Sequence, residues 1–393
     1  MTNKDLIHLH DQHIMGTYGR FPIALSHGKG ATLYDFDGKA YIDFASGIGV
    51  NSLGYGNEAW VRAVAEQAAR LGHVSNLYYT EPAARLAEAL CRRTGMDKVF
   101  FANSGAESNE GLIKLARKYS HDKYGPERSQ IVTLHQSFHG RTISTLAATG
   151  QDVFHNHFFP FTEGFVHVPA GDIDALKTAA GTGTCAVLLE LIQGEGGVLP
   201  LDKVYVAEVA AFCKAQDILL LIDEVQTGIG RTGSLFAFQQ YGITPDGVSF
   251  AKGIAGGVPF GGFLAAETCS TVLGPGTHAT TFGGNPIGAA AAGVVLDTLT
   301  DETLREITDK GRYIQEQILS MQNPYVAEIR GLGLMIGIIL QDISHKEVVG
   351  KLGDAGVLAL TAGSETLRLL PPLTISYAEI DTGLAILQSV LTP

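Results

Sequence analysis

ILLLIDEVQTGIGRTG, Ile218–Gly233, runs from five aliphatic residues straight into two carboxylates and a glycine-studded turn. A continuous apolar run of this length reads as a strand buried on both faces, as in a parallel sheet covered by helices. The acids at its tip then need a reason. A metal-holding strand of a nucleotide hydrolase would require a phosphate loop GxxxxGK[ST] elsewhere in the chain. None exists: Lys29, Lys39 and Lys351 follow glycine, but Gly30, Ala40 and Leu352 come next. A dinucleotide fold would use Gly228-Ile229-Gly230-Arg231-Thr232-Gly233 as GxGxxG, but Asp223–Thr227 separate those glycines from the strand and the next acid, Asp246, is too near.

A third reading takes in the following strand, VSFAKGIAGGVPFGG, Val248–Gly262, in which Lys252 also ends an apolar run. Ligands of open parallel sheets bind outside the carboxyl ends of the strands, so Asp223 and Lys252 are expected to project into one crevice. An amine and a carboxylate placed so suit pyridoxal phosphate: the amine condenses with its aldehyde, and the carboxylate keeps its ring nitrogen protonated. Taken singly, a lysine at a strand end reads more simply as a solvated charge, and an Asp before a loop as a cap. The cofactor reading therefore also needs a phosphate site. FANSGAESNEGLIKLARKY, Phe101–Tyr119, supplies one, joining a strand end to a helix through small residues whose backbone N–H groups can approach an anion. Glu107, three residues after the cap Ser104, is expected to turn away or back to the cap, since it would otherwise repel the phosphate.

The surrounding rhythm supports an α/β sheet. Ala31–Tyr34 and Ala40–Phe44 flank the turn DFDGK as a hairpin, and helical periodicity follows at 58–72 and 82–95, the latter capped by Thr80. Strand-like runs recur at 98–103, 131–134, 165–168, 186–191, 218–222, 248–251 and 262–265, which predicts a mainly parallel sheet. From Asn285 the pattern changes to an alanine-rich helix, strand signals over 325–340 and helices to the end. We expect an N-terminal segment 1–50 joining a small domain, a large domain 51–290 and a smaller α+β domain 291–393.

With 393 residues, 45% hydrophobic and 17% charged, the chain can bury a large core, and a net charge of −12 argues against nucleic acid as a partner. No run reaches the length of a membrane span, and Cys91, Cys185, Cys213 and Cys269 lie apart in apolar contexts that suit free thiols, so a cytoplasmic protein is expected. The histidines His8, His10 and His13, and His155 with His157, lack the context of metal ligands, and no metal is expected. His139 is expected to serve loop packing.

The motifs TYGRFP, YDFDGKAYIDF, HVSNLYYTEP, NSGAESNE, SFHGRT, IQGEGG, IDEVQTGIGRTG, AKGIAGGVPFGG, TTFGGNP and LRLLPPL, in that order over Thr17–Leu373, resemble the class III pyridoxal-phosphate aminotransferases of fold type I. Within that family the chain is most similar to the acetylornithine aminotransferases. The resemblance implies that Lys252 bonds to the cofactor and Asp223 partners its ring nitrogen. It further implies that Gly105 and Ala106 hold its phosphate, that Phe138 and Val225 cover its two faces, and that Glu224 and Gln226 adjoin it. Thr281 is implied to reach the phosphate of the other subunit of a homodimer. Arg368 is implied to bind the α-carboxylate of glutamate or 2-oxoglutarate, and Glu195 to pair with it otherwise. Arg141, with Tyr18 nearby, is implied to take the carboxylate of N-acetylornithine, and Thr280 to line that pocket. The open segment Ser46-Gly47-Ile48 leaves room for an acyl group. Succinylornithine, an acylated diaminopimelate precursor, ornithine and 4-aminobutyrate stay as alternative donors. Leu191, where the family usually has Pro, leaves the path of that loop open.

Overall fold

The computed structural model describes residues 1–392 and centres on a seven-stranded sheet. Numbered within the sheet, its strands are β1 Lys98–Ala102, β2 Gln130–Leu134, β3 Phe165–Val168, β4 Thr184–Leu189, β5 Leu219–Asp223, β6 Gly247–Phe250 and β7 Gly261–Ala265. Their order is β1-β7-β6-β5-β4-β2-β3. Every pairing is parallel except the two made by β7, which runs antiparallel to β6 and β1. Because β7 reverses twice over, β1 points the same way as the other five. The sheet is thus mainly parallel, as expected, with β7 the one exception, and the physical reason is its short connection: Lys252–Phe260 is too brief for the helical crossover that a parallel return demands.

β4, β5 and β6 are buried along their whole length, as their unbroken apolar runs require. Helices Gly105–Tyr124 and Lys203–Gln216 pack on the sheet, and Glu58–Arg70 and Glu81–Thr94 pack against the alanine-rich Pro286–Thr298. Thr80 occupies the N-cap position, although its hydroxyl makes no capping bond. Asn3–His13 forms an exposed helix that the mixed composition of the N-terminus did not announce.

The hairpin Thr32–Asp35/Ala40–Asp43 forms as expected, extended by Leu25–Lys29 and, in parallel, by Val357–Leu358 from near the C-terminus. The strand signals over 325–340 resolve into two antiparallel strands, Val326–Leu332 and Met335–Leu340. Beyond them the chain is not helical throughout. Strands Leu360–Ala362 and Thr366–Leu369 complete a second four-stranded sheet, and only His345–Ala355 and Tyr377–Val390 are helices. The short β runs there carry a single periodic turn each, too few residues for alternation to show.

Gly111 shows how tightly the 105–124 helix sits on the sheet. A Cβ there would lie 2.3 Å from the Phe263 ring of β7, well inside contact distance. We predict that Gly111→Val lowers stability by about 1–3 kcal/mol. The thermal midpoint should fall, and an unchanged midpoint would show that helix and sheet can part without cost.

Candidate active site

Because β1 and β2, β4, β5 and β6 all point one way, the segments that leave their carboxyl ends converge on one edge of the sheet. There they line a cavity of about 420 Å³. Ser104–Ala106 follow β1, Phe138–Arg141 follow β2, Glu190 follows β4, Asp223–Gln226 end β5 and Lys252 follows β6. Asp223 and Ser249 are register partners on neighbouring strands, which brings the ends of β5 and β6 together. The sequence expectation that Asp223 and Lys252 face one crevice describes this arrangement.

The Asp223 carboxylate is 4% exposed and receives four donors. Asn109 Nδ2 approaches Oδ2 at 2.7 Å and His139 Nδ1 at 2.8 Å, while the Val225 amide meets Oδ1 at 3.0 Å and the Ser249 hydroxyl at 3.3 Å. A carboxylate only accepts, so His139 carries its proton on Nδ1. His139 is therefore a direct partner of Asp223, not loop packing. Asn109 is not among the residues read from the sequence as a site residue, though it lies four residues after Gly105 on the same helix face.

Glu224 requires a correction. Its side chain turns away from the cavity and takes the amides of Ala237 and Phe238 and the Thr227 hydroxyl, at 2.7–2.8 Å. Adjacent residues of a strand point to opposite faces, so one acid reaches the site and the other fastens the loop behind it.

Lys252 sits at φ = 45°, a left-handed conformation that costs a side-chain-bearing residue about 1–2 kcal/mol. Burial lowers the proton affinity of its amine, with Arg368 acting the same way and Glu195 opposing. At the start of the 105–124 helix, Ser104 Oγ takes the Glu107 amide, and the Glu107 carboxylate turns back to the Asn103 amide at 2.8 Å. The Gly105 and Ala106 amides keep no acceptor among the described residues and stay available to an anion. Gly105 must be glycine, since a Cβ would come within 2.6 Å of Val225.

Arg368 is 2% exposed and closed by a local network. Its Nη1 donates to Glu195 Oε1 at 2.7 Å and to Gln226 Oε1 at 2.9 Å, and Gln226 Nε2 reaches the same Glu195 oxygen at 3.4 Å. Burial alone would raise the Glu195 carboxyl, but the charge and hydrogen bond of Arg368, with Lys252 and Gln226, together outweigh it and hold the group below its usual range. Arg141, in contrast, is exposed at the mouth. Besides Glu224, five expected residues lie outside the cavity lining in the single chain: Glu195 and Arg368, which meet it through Gln226, and Tyr18, Thr280 and Thr281. Tyr18 is 72% exposed. Thr280 accepts from Asn103 Nδ2 at 3.1 Å, and with Thr281 it lines a separate recess beside Asn76 and His278.

Glu190 was not singled out from the sequence as a site residue. It takes the Phe138 amide at 2.8 Å, and burial pushes its carboxyl up to about 7.

The donor set fits pyridoxal phosphate. Two free amides at a helix start match a phosphate, an amine of lowered proton affinity matches an aldehyde, and a braced carboxylate matches a protonated ring nitrogen. Phe138 and Val225 offer flat and aliphatic walls to a ring.

The sequence profile of the family described as Aminotransferase class-III matches residues 15–391. The acetylornithine aminotransferase of Haemophilus ducreyi is 52% identical, over 100% of both chains. Among solved structures, the N-acetylornithine aminotransferase of Stenotrophomonas maltophilia superposes with a TM-score of 0.85 at 34% identity, over 98% of each chain. An ornithine aminotransferase of Toxoplasma gondii, with partial occupancy of PLP at its active site, superposes with a TM-score of 0.94 at 30% identity, over 99% of this chain and 94% of its own.

A titration tests the buried site. Between the ordinary carboxyl value of 4.5 and about 7, native Glu190 holds a proton that the unfolded chain releases, so its contribution to stability falls as pH rises through that window. Glu190→Gln removes this dependence. The melting temperature of the variant relative to wild type should therefore climb from pH 4.5 to 7, and a constant difference would contradict the raised value.

Proposed function

Because the chain belongs to the class-III aminotransferases, a pyridoxal-phosphate-dependent transaminase family, we propose that it moves the terminal amino group of N-acetylornithine to 2-oxoglutarate. The products are N-acetylglutamate 5-semialdehyde and glutamate, and the matching pathway role is arginine biosynthesis. The observation that carries the reading is one crevice holding Asp223, Lys252, the free amides of Gly105 and Ala106, and Arg141, with the buried Arg368 bonded to Gln226 behind its wall.

When bound, pyridoxal phosphate supplies an aldehyde that carries the amino group between substrates and a ring that accepts electrons. Gly105 and Ala106 would hold its phosphate, Phe138 and Val225 its faces and Asp223 its ring nitrogen, with Gln226 beside it. Lys252 Nζ acts as the base at the substrate carbon that bears the migrating amine, since burial leaves it readier to be neutral. Arg141 grips the carboxylate of the acylated donor, for a guanidinium fork meets a carboxylate through two parallel bonds. Arg368 meets the α-carboxylate of glutamate or 2-oxoglutarate after Glu195 yields its place.

The working unit in this proposal is a homodimer. Leu77, Tyr78, Tyr79 and Phe282 are uncovered on the face that also presents Thr281, and a second copy placed there would bring Thr281 to the neighbouring phosphate and close the site around Tyr18. The proposed domains are 1–50 with 291–393, and 51–290, in keeping with the strand pairing that joins Ala40–Asp43 to Val357–Leu358. Among the described residues no helix is long and apolar enough to cross a membrane, and the four unpaired cysteines suit a cytoplasmic setting.

Comparison of kcat/KM for N-acetylornithine, succinylornithine, ornithine and 4-aminobutyrate tests the donor. N-acetylornithine should lead, and equal or greater efficiency with free ornithine would reject this choice. Lys252→Ala should lower turnover by at least about 10²–10⁴-fold while the protein still takes up the cofactor. Substantial remaining transamination would contradict the role of Lys252.

A further inference from the structure

Phe154 belongs to none of the motifs above, yet it presents the nearest aromatic face to Arg141. The Arg141 guanidinium carbon lies 4.1 Å from the centre of the Phe154 ring and 5.4 Å from that of Phe138. The two rings meet edge to face, 5.9 Å apart at 75°. Arg141 enters no ion pair among the described residues. A guanidinium held by its face keeps its N–H groups free, because they lie in its plane.

We infer that Phe154 is a positioning residue for Arg141, holding the guanidinium flat so that its N–H fork meets the carboxylate of the acylated amino donor. The inference rests on the donor assignment proposed above. An exposed arginine otherwise samples many rotamers and loses that freedom when a ligand arrives. A ring face that settles the arginine beforehand removes part of this loss, and it does so without a counter-charge that the substrate would have to displace.

The loop is built to keep the ring in place. Asp152–Phe154 is a single tight turn, closed by the Phe154 amide on the Gln151 carbonyl and the His155 amide on the Asp152 carbonyl, both at 3.0 Å. His155 Nε2 then donates to the Leu146 carbonyl at 2.8 Å, and the His155 ring lies 5.1 Å from Phe161. Leu146 belongs to the helix Ile143–Ala148, which starts two residues after Arg141. Arginine and ring are thus tied to the same short helix, one through the chain and the other through His155.

The test compares two donors that differ only in the carboxylate, N-acetylornithine and N-acetylputrescine, on the cofactor-loaded wild type, Phe154→Leu and Phe154→Tyr. Phe154→Leu should lower kcat/KM for N-acetylornithine about fivefold to thirtyfold, the range of a cation–π contact, and mainly through KM. The loss with N-acetylputrescine should be at least about fivefold smaller, on the same cation–π scale. Phe154→Tyr, which keeps the ring, should restore the wild-type ratio. The ratio between donors does not depend on the fraction of folded enzyme. As a readout apart from turnover, the Kd of N-acetyl-L-norvaline, which has the carboxylate but no amine to transfer, should rise in Phe154→Leu alone. Equal losses with both donors, or none with either, overturn the inference. A wild type that transaminates glutamate but not N-acetylornithine overturns the donor assignment and this inference with it.

Discussion

A carboxylate at the end of a dry strand is solvated by the protein or not at all, and Asp223 is solvated by four separate pieces of it. Asn109 comes from the helix after β1, His139 from the loop after β2, Ser249 from β6, and the Val225 amide from the turn that Asp223 itself begins. An unpaired ionised carboxylate in that place would cost several kcal/mol, so the four segments are held in register by a penalty that each of them helps to lift. The same bonds decide the shape of the cavity. Asn109 brings the helix that offers the Gly105 and Ala106 amides, and His139 brings the loop that carries Phe138 and Arg141. Its Asn109 anchor runs through the His139 carbonyl as well, at 2.8 Å, which ties helix and loop to each other as firmly as to the acid.

The sequence told as much of this as short-range pattern can tell. Strands buried on both faces announce themselves as apolar runs, and Asp223 and Lys252 were legible because each ends such a run. Glu224 was misplaced for a reason of geometry: it is one residue along, and one residue along a strand is the opposite face. His139, Asn109 and Glu190 escaped because their roles depend on partners 52 to 114 positions away. No local spacing records that distance. The strands near the C-terminus escaped because two to four residues are too few to show a period, and the reversal of β7 because direction is set by the length of a connection and not by the strand's own residues. Lys252 holds a left-handed backbone that composition would never assign to lysine, and the strain is tolerated where a rigid sheet end overdetermines the position.

The two arginines answer one physical problem in two ways. A guanidinium is needed where a carboxylate will arrive, but an arginine waiting alone is either a buried charge without a partner or a loose side chain in water. Arg368 lies deep, where the first danger governs, and Glu195 with Gln226 covers it. On the proposed reading, an arriving α-carboxylate exchanges one ion pair for another, so the buried charge is never bare and the large cost of desolvating it is met once, on folding. Arg141 lies at the mouth, where the second danger governs, and a counter-ion there would be screened by solvent and would compete with the ligand. Ring faces suit that position better, for they restrain the arginine without occupying the edge that binds. Burial thus decides the kind of partner each arginine keeps: an acid that can be exchanged in the interior, an aromatic that need not be displaced at the surface.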